Sequence, residues 1–250
     1  MATPSRSRGS TRAWTFASSI EASGPRARPS PKARPLNVEQ RYRFVYKPLV
    51  FVASLAPLIW LTLRGFGLME PDLGADPAKL TLHLLGKTAL NFLMLTLMVT
   101  PVRHLTGFTH ILRIRRMLGL FAFFYAVMHF TTYLWLDQYF DWASITKDIV
   151  KRPYITIGFT ALLLLIPLAI TSTNKMMRRL GRRWQTLHRL VYVITILGVW
   201  HYYWQVKKDV REPLIYAGIL AVLLGYRAVR AWLKKRPTST SAPATAPERT

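Results

Sequence analysis

The sequence predicts an all-α membrane protein, a six-transmembrane-helix bundle with both termini in the cytoplasm. Of the 250 residues, 51% are hydrophobic, and they gather in long blocks. Each block is about 20 residues long, which is the length that a helix needs to cross about 30 Å of hydrocarbon. Because backbone groups in lipid must bond to one another, blocks of this length predict helices. The second observation is the content of Lys and Arg between the blocks, which alternates from one loop to the next.

Six spans follow from these blocks. Their predicted bounds are residues 47–64, 82–102, 118–136, 154–171, 187–206 and 213–232. Pro57 and Pro167 lie inside two of them, where a helix bundle tolerates a kink. The spans predict one membrane domain over residues 41–236. The flanking residues 1–40 and 237–250 are poor in bulky apolar side chains, so we expect a disordered basic tail at the start and a second disordered tail at the end.

The basic residues predict the orientation in the membrane. The loops after the second and fourth spans carry several Lys and Arg and no Asp or Glu, whereas the other three loops carry both signs. Because Lys and Arg concentrate on the cytoplasmic side, the strongly basic loops and both tails are expected there. The Lys and Arg of the cytoplasmic loops and tails account for most of the net charge of +24. The charge therefore does not require a nucleic-acid partner.

Histidine is the main residue type left for metal chemistry. The chain has no Cys, which excludes disulfides, thiol chemistry and Cys-ligated iron–sulfur clusters. His104 and His110 are expected to be solvated residues of a cytoplasmic loop. The other four histidines lie in or at the ends of spans, where ionisable groups typically face the bundle interior, a cofactor or an ion path. These four are His83, His129, His188 and His201.

Depth in the membrane distinguishes three of these histidines. His188 lies near the cytoplasmic end of the fifth span, and His201 follows 13 positions later, about 20 Å farther along the helix axis. His129 lies in the outer half of the third span, at a depth compatible with His201. Facing imidazoles can hold haem iron from both sides in a helix bundle, which favours a haem site. The alternative is that each histidine bonds a neighbouring helix.

Toward the cytoplasmic side, the predicted haem site has only one candidate histidine, His188. An offset of 13 residues puts His188 and His201 on different faces of an ideal helix, so both could serve stacked haems only if the helix is irregular or the groups lie on different sides. Counting back 14 positions from His129 gives Arg115. Arg is a poor iron ligand but a good partner for a haem propionate or a flavin phosphate. The alternative for Arg115 is a charge of the basic loop.

The second span carries a polar stripe. His83, Lys87 and Asn91 are four residues apart and therefore lie along one helix face. A buried Lys needs an anionic or polar partner, such as a propionate of an outer haem or a quinone carbonyl. The alternative is that Lys87 extends to the outer headgroups.

Several segments of the chain resemble one family. They are HLLGKTAL from His83, RIRRMLGLFAFFYAVMHFTTY from Arg113, RPYITIGF from Arg152, TSTNKMMRRLGRRWQTLHRLVY from Thr171, HYYW from His201 and PLIYAG from Pro213. They resemble the MsrQ family, formerly called YedZ, of the ferric-reductase-like transmembrane superfamily. The resemblance covers roughly residues 45–235 and so all six predicted spans.

The resemblance implies a haem b protein of the bacterial inner membrane that is also described as binding FMN. It implies electron transfer to a periplasmic molybdenum-dependent methionine sulfoxide reductase that repairs oxidised periplasmic proteins. The implied donor is the quinone pool or a cytosolic flavin reductase. The family's haem histidines correspond to His129, His188 and His201. Arg115 stands where superfamily members carry a further histidine, so the resemblance leaves one or two haems open.

Two other functions fit parts of the sequence. A transmembrane ferric reductase would use the same haem site, but such enzymes often carry a cytoplasmic nucleotide-binding domain, and no Gly-rich fingerprint for one appears. A small transporter or structural membrane subunit would use the histidines as a proton path. Transporters often show inverted repeats, and none is recognised in this sequence. A Soret absorption band of the purified protein would separate a haem protein from a transporter.

Overall fold

The computed structural model describes residues 40, 42–70, 74–108, 111–206 and 209–235, and every regular element within these ranges is helical. The α-helices are α1 (Lys47–Gly65), α2 (Pro77–Thr106), α3 (Leu112–Thr132), α4 (Trp142–Lys151), α5 (Pro153–Ile170), α6 (Asn174–Leu180), α7 (Arg182–His188), α8 (Leu190–Gln205) and α9 (Arg211–Lys235). Two π-helical segments, Tyr42–Tyr46 and Tyr133–Asp137, precede α1 and continue α3. The all-α prediction is confirmed.

Local sequence signals set the ends of the central helices. The Asp76 side chain caps α2 by accepting a hydrogen bond from the backbone N–H of Lys79 at 2.9 Å. At the other end of α2, Gly107 adopts a φ of 73°, the left-handed conformation that glycine reaches without a steric penalty. Asp141 caps α4 in the same way, through the backbone N–H of Ala143 at 3.1 Å. With its caps at Asp76 and Gly107, α2 extends beyond the predicted span of residues 82–102 at both ends.

Five helical stretches of the described residues are long and apolar enough to cross a membrane. They are Phe44–Gly65, Pro77–Thr106, Leu112–Asp137, Pro153–Ile170 and Arg211–Lys234, and they match the predicted spans one to four and six. The fifth predicted span corresponds to α8, whose 16 residues fall short of the about 20 that a crossing needs. Arg189 alone separates α8 from α7, and its φ of −67° and ψ of −21° are helical. Six spans and cytoplasmic termini therefore stay predictions.

Helix α2 lies at the centre of the bundle. In its most apolar window 56% of the residues are buried, against 11% in α1 and in α9. Phe92 of α2 stacks on Tyr125 of α3, with ring centres 5.4 Å apart. The Tyr125 hydroxyl donates to the backbone carbonyl of Ser54 at 2.7 Å, which ties α1 to α3. The outer helices α1 and α9 expose large apolar side chains such as Val52 and Val222, as helices surrounded by lipid do.

Two regions differ from the sequence-based expectation. The predicted loop between spans three and four contains helix α4, which hydrophobic blocks of transmembrane length cannot reveal because it has only 10 residues. His104 was expected in a solvated loop, and this was wrong: it lies in the last turn of α2, where its Nδ1 is 3.2 Å from the Tyr226 hydroxyl of α9. The reason is that α2 continues through Pro101 to Thr106.

Two further expectations, for His110 and for the tails, fall outside the residues that the structure describes. His110 lies outside the described residues. The predicted tails, residues 1–40 and 237–250, also lie outside them apart from Gln40.

Candidate functional site

A cavity of about 1490 Å³ lies between helices α2, α3, α5 and α8. Its volume exceeds the range of about 300–1000 Å³ that is usual for small-molecule sites, so a large cofactor has room here. His129 and His201 line the cavity, together with His83 and Lys87 of the predicted polar stripe. Most of the other lining residues are apolar, including Leu90, Leu93, Ala126, Phe159, Leu165 and Ile194. The structure thus brings four of the seven predicted site residues to one cavity.

The two central histidines are held in the same way. The Nδ1 atom of His129 lies 2.9 Å from the backbone carbonyl oxygen of Leu82, and the Nδ1 atom of His201 lies 2.7 Å from that of Tyr154. Because a carbonyl oxygen only accepts hydrogen bonds, each Nδ1 carries the proton and donates it. Each Nε2 then has the lone pair that a metal requires, and the carbonyl fixes the tautomer and orientation of the ring.

The distance between the two rings fits one metal atom between them. The ring centres of His129 and His201 are 6.1 Å apart, and the ring planes are inclined by 77°. Two imidazoles on one metal, with bonds of about 2.0 Å and about 1.1 Å from each nitrogen to its ring centre, have centres about 6.2 Å apart. The distance between the ring centres is therefore the one expected for two imidazoles that hold one metal atom.

The rest of a metal's ligands would have to come with a cofactor. Among the described residues, no group of three His, Asp or Glu side chains comes together as a protein-only metal site. Two histidines would supply two ligands, and the remaining ligands would come from a porphyrin. The donor set and the apolar walls of the cavity thus fit a haem better than a bare metal ion.

His188 lies apart from this cavity, at the end of α7. Its Nδ1 bonds the carbonyl oxygen of Trp184 at 3.1 Å, and its ring stacks on the Trp184 ring with centres 3.9 Å apart. Its Nε2 lies 3.5 Å from the Ser172 hydroxyl oxygen, at the outer limit of a hydrogen bond. Arg115 lies close enough to interact electrostatically with both His188 and Arg227. Arg115, His188 and Arg227 are called the arginine-rich end below.

The break at Arg189 bears on the predicted relation between His188 and His201. The helix is irregular between them, because the N–H of Arg189 bonds Thr186 and the N–H of Tyr192 bonds the Arg189 carbonyl, both three residues apart. Even so, His188 is absent from the residues that line the cavity.

Each residue of the polar stripe on α2 has a protein partner. Lys87 forms an ion pair with Glu212 of α9 at 2.6 Å, and Glu212 also accepts from the Tyr202 hydroxyl at 2.5 Å. The side-chain amide of Gln205 lies 3.0 Å from Nε2 of His83. Asn91 accepts from the Tyr216 hydroxyl at 2.7 Å. The partner observed for Lys87 is thus Glu212 of the chain itself, and its predicted contact with a haem propionate or a quinone stays a prediction.

Sequence reasoning missed four residues of this region. Glu212 was overlooked because its partner Lys87 is more than a hundred positions away in the sequence, and Tyr202 was overlooked because it reaches this region through its hydrogen bond to Glu212. Gly86 and Gly158 were overlooked because a glycine in an apolar helix has no chemical group to draw attention. A Cβ on Gly86 would lie 2.9 Å from the His129 ring, and one on Gly158 would lie 2.7 Å from the His201 ring. Gly86 precedes His129 by the same number of positions as Gly158 precedes His201, and this equal separation was the signal that the sequence offered.

Comparison with known proteins shows what the chain is related to. Residues 85–199 match the family described as "Ferric reductase like transmembrane component". A Xanthomonas campestris protein named "Protein-methionine-sulfoxide reductase heme-binding subunit MsrQ" is 52% identical over 196 residues, which cover 77% of this chain and 90% of the relative. A protein of the same name from Rhodospirillum rubrum is 55% identical over 188 residues, covering 75% of this chain and 89% of the relative. The chain belongs to the MsrQ family.

Membership of the MsrQ family agrees with the architecture. The family resemblance seen in the sequence is confirmed, and the five long apolar helices make this MsrQ homologue a multi-pass membrane protein. The segment matched to the ferric-reductase-like component contains His129 and His188 and ends two residues before His201. A third relative named MsrQ, from Herminiimonas arsenicoxydans, is 52% identical over 192 residues, covering 76% of this chain and 87% of the relative.

Proposed function

We propose that this chain is a haem b electron-transfer subunit of a system that reduces methionine sulfoxide in oxidised proteins. The relatives are named as heme-binding subunits of a protein-methionine-sulfoxide reductase, and the proposal extends that role to this chain. The observation that carries it is the His129–His201 pair, with ring centres 6.1 Å apart and both Nδ1 atoms bonded to carbonyl oxygens. An electron carrier needs a held redox group, and this pair is where the chain would hold one.

The roles of the residues follow from their chemistry. His129 and His201 would hold one haem b through their Nε2 atoms, and the carbonyl oxygens of Leu82 and Tyr154 would keep both rings in the tautomer that offers Nε2. A bound haem supplies one-electron chemistry, its iron changing between the ferric and ferrous states. The apolar walls exclude water and keep the local dielectric constant low, which sets the potential together with the ligands.

The second histidine region extends the proposal toward the donor. We propose that His188 and Arg115 act on the cytoplasmic side, as ligand and anion partner of an inner haem or as contacts of an FMN phosphate. The arginine-rich end supports this proposal, since Arg115 lies near a second cation, Arg227. Clustered guanidinium groups in a membrane helix bundle favour an anionic partner. Between the two histidine regions, the chain would carry electrons across the bilayer.

The wider setting is proposed as well. The chain would lie in the bacterial inner membrane with six spans and cytoplasmic termini. It would receive electrons from the quinone pool or from a cytosolic flavin reductase, and a periplasmic molybdenum-dependent methionine sulfoxide reductase would accept them. His83 and Lys87 line the cavity, and we propose that they and Asn91, one helical turn farther along α2, lie in the periplasmic half of the membrane, where a haem propionate or a quinone would approach the Lys87–Glu212 pair.

The proposal is tested with the purified full chain in detergent. We expect a Soret band and a low-spin b-type spectrum. Under anaerobic conditions the reduced protein should be reoxidised when a periplasmic methionine sulfoxide reductase and an oxidised protein substrate are added together. The oxidised substrate alone is the matched control and should leave the protein reduced. A colourless protein would contradict the haem proposal, and reoxidation by a ferric chelate but not by the reductase would favour a ferric reductase.

A further inference from the structure

We propose that Gly86 and Gly158 are positioning residues that set the orientation of the His129 and His201 imidazoles. Each glycine, together with the carbonyl group four residues before it, forms a clamp for a histidine of the neighbouring helix. The glycine clamps are Leu82 and Gly86 with His129, and Tyr154 and Gly158 with His201. This inference rests on the proposed haem function.

The two clamps are the same device used twice. Each histidine bonds a carbonyl oxygen 47 positions earlier in the chain, on α2 for His129 and on α5 for His201. All members of the second clamp follow their counterparts by 72 positions: 82 and 154, 86 and 158, 129 and 201. The sequence showed no repeat, but the structure shows this correspondence between the helix pairs α2–α3 and α5–α8. The same geometry thus occurs twice around one cavity.

The glycine is what opens the carbonyl oxygen to the neighbouring helix. In an α-helix the carbonyl oxygen of one residue points at the N–H of the residue four positions later. Side chains lean back toward the N-terminus, so the side chain of that later residue borders the carbonyl oxygen. At Gly86 and Gly158 no side chain is present, and a histidine ring from the next helix occupies the space. The Nδ1 atom can then donate to a carbonyl oxygen that also accepts the helical hydrogen bond from the glycine N–H.

A single methyl group would close this space. A Cβ on Gly86 would lie 2.9 Å from Nδ1 of His129 and 3.0 Å from its Cε1. A Cβ on Gly158 would lie 2.7 Å from Nδ1 of His201 and 2.9 Å from its Cε1. These distances are shorter than the normal contact of two heavy atoms, so the ring must move. A displaced ring changes its hydrogen bond to the carbonyl oxygen and the position of its Nε2 atom, and therefore how it would hold a metal.

The chain offers two matched controls. A Cβ on Gly119 of α3, or on Gly218 of α9, would meet no described atom within 4 Å. Gly119 lies on the same helix as His129, and Gly218 lies in the last predicted span. Ala is a better helix former than Gly, so a general effect on the helices would act in the same direction in all four variants. A difference between the two pairs of variants therefore reports on the histidine rings.

The experiment compares G86A, G158A, G119A and G218A in the full chain, each purified in detergent. Haem per chain and the low-spin electron paramagnetic resonance (EPR) spectrum are measured, and the amount of protein in the membrane is followed independently. We expect G86A and G158A to retain haem about 10-fold less strongly, the lower end of what loss of a second-shell contact costs, or to shift the low-spin signal. G119A and G218A should match the wild type in both readouts.

Several outcomes would overturn the proposal. One is a wild-type haem content and an unchanged low-spin signal in both G86A and G158A. Another is an equal loss in the control variants. A third is failure of G86A to accumulate in the membrane both alone and in combination with His129→Ala, because a methyl group that acts only against the ring is harmless once the ring is removed. A wild-type chain without haem would instead refute the proposed function, so the two failures are distinguishable.

Discussion

His129 and His188 both donate a hydrogen bond from Nδ1 to a backbone carbonyl oxygen, but they differ in the helix that supplies this oxygen and in the groups that lie beside the ring. His129 donates to a carbonyl oxygen of a neighbouring helix and faces His201, with ring centres 6.1 Å apart. His188 donates to a carbonyl oxygen of its own helix, stacks on Trp184 and has the cation Arg115 nearby. The first arrangement offers two facing ligands, and the second offers one imidazole beside a positive charge.

Depth in the membrane and residue type identify candidate metal ligands. The hydrogen-bond partner and the neighbours of each imidazole then determine whether it can bind a metal. A ring fixed by another helix has its nitrogen aimed across the bundle. A ring bonded within its own helical turn is aimed by that turn alone. We therefore expect the histidine pair to hold a cofactor by itself, and the arginine-rich end to depend on an anionic partner. The following predictions test this contrast, from the largest expected effect to the smallest.

The largest effect concerns which end of the bundle faces outward. The chain has no Cys, so a single introduced Cys is a clean reporter. Val150 in α4 and Leu105 at the end of α2 are 76% and 80% exposed. With an impermeant thiol reagent on intact spheroplasts, Val150→Cys should be labelled and Leu105→Cys should not. Both should react after lysis, which controls for reactivity. Labelling of Leu105→Cys alone would reverse the proposed orientation.

Replacing His188 should separate the two histidine regions. We expect His188→Ala to keep the low-spin signal of the His129–His201 pair, because His188 does not line their cavity. It should slow reduction of the protein from the cytoplasmic side or remove a second haem. Haem per chain and the rate of reduction in inside-out vesicles measure these effects. If His188→Ala abolishes the low-spin signal as completely as His129→Ala, the two regions are not independent.

A smaller effect is expected at the Lys87–Glu212 ion pair. Lys87→Gln and Glu212→Gln should each weaken haem retention by less than about 10-fold, because the pair lines the cavity without bonding the two histidines. Since each partner acts through the other, the double variant should resemble a single one. Tyr216→Phe, which removes a hydrogen bond to Asn91, is the control. Fully additive losses would show that Lys87 acts on another group, such as a haem propionate.

The smallest effect is expected for the basic N-terminal segment. Deletion of residues 1–36 should leave membrane insertion and haem content unchanged, since that composition is too poor in apolar residues to pack against the bundle. Haem per chain in the purified truncated protein measures this. A truncated protein that loses haem would show that the segment contributes to the site.

The sequence predicted the bundle better than the site, for physical reasons. Blocks of apolar residues are sufficient to find spans, because lipid imposes one length and one hydropathy on them. The His129–His201 pair followed from depth along two helices. The glycine clamps could not be found this way, because they consist of a missing side chain and a backbone carbonyl on another helix. Glu212 was missed for a related reason. The hydropathy pattern assigns it to a charged loop, whereas in the folded chain it forms an ion pair with Lys87.

Quantifying haem together with EPR spectroscopy on single histidine variants tests the central claim most directly. The His129–His201 site of the wild type should give a low-spin signal of the strongly anisotropic kind that near-perpendicular imidazole planes produce, since the rings are inclined by 77°. His129→Ala and His201→Ala should each lose most of that haem, and His104→Ala should match the wild type because its ring contacts Tyr226 instead. A full wild-type low-spin signal in both His129→Ala and His201→Ala, or an equal loss in His104→Ala, would contradict the account.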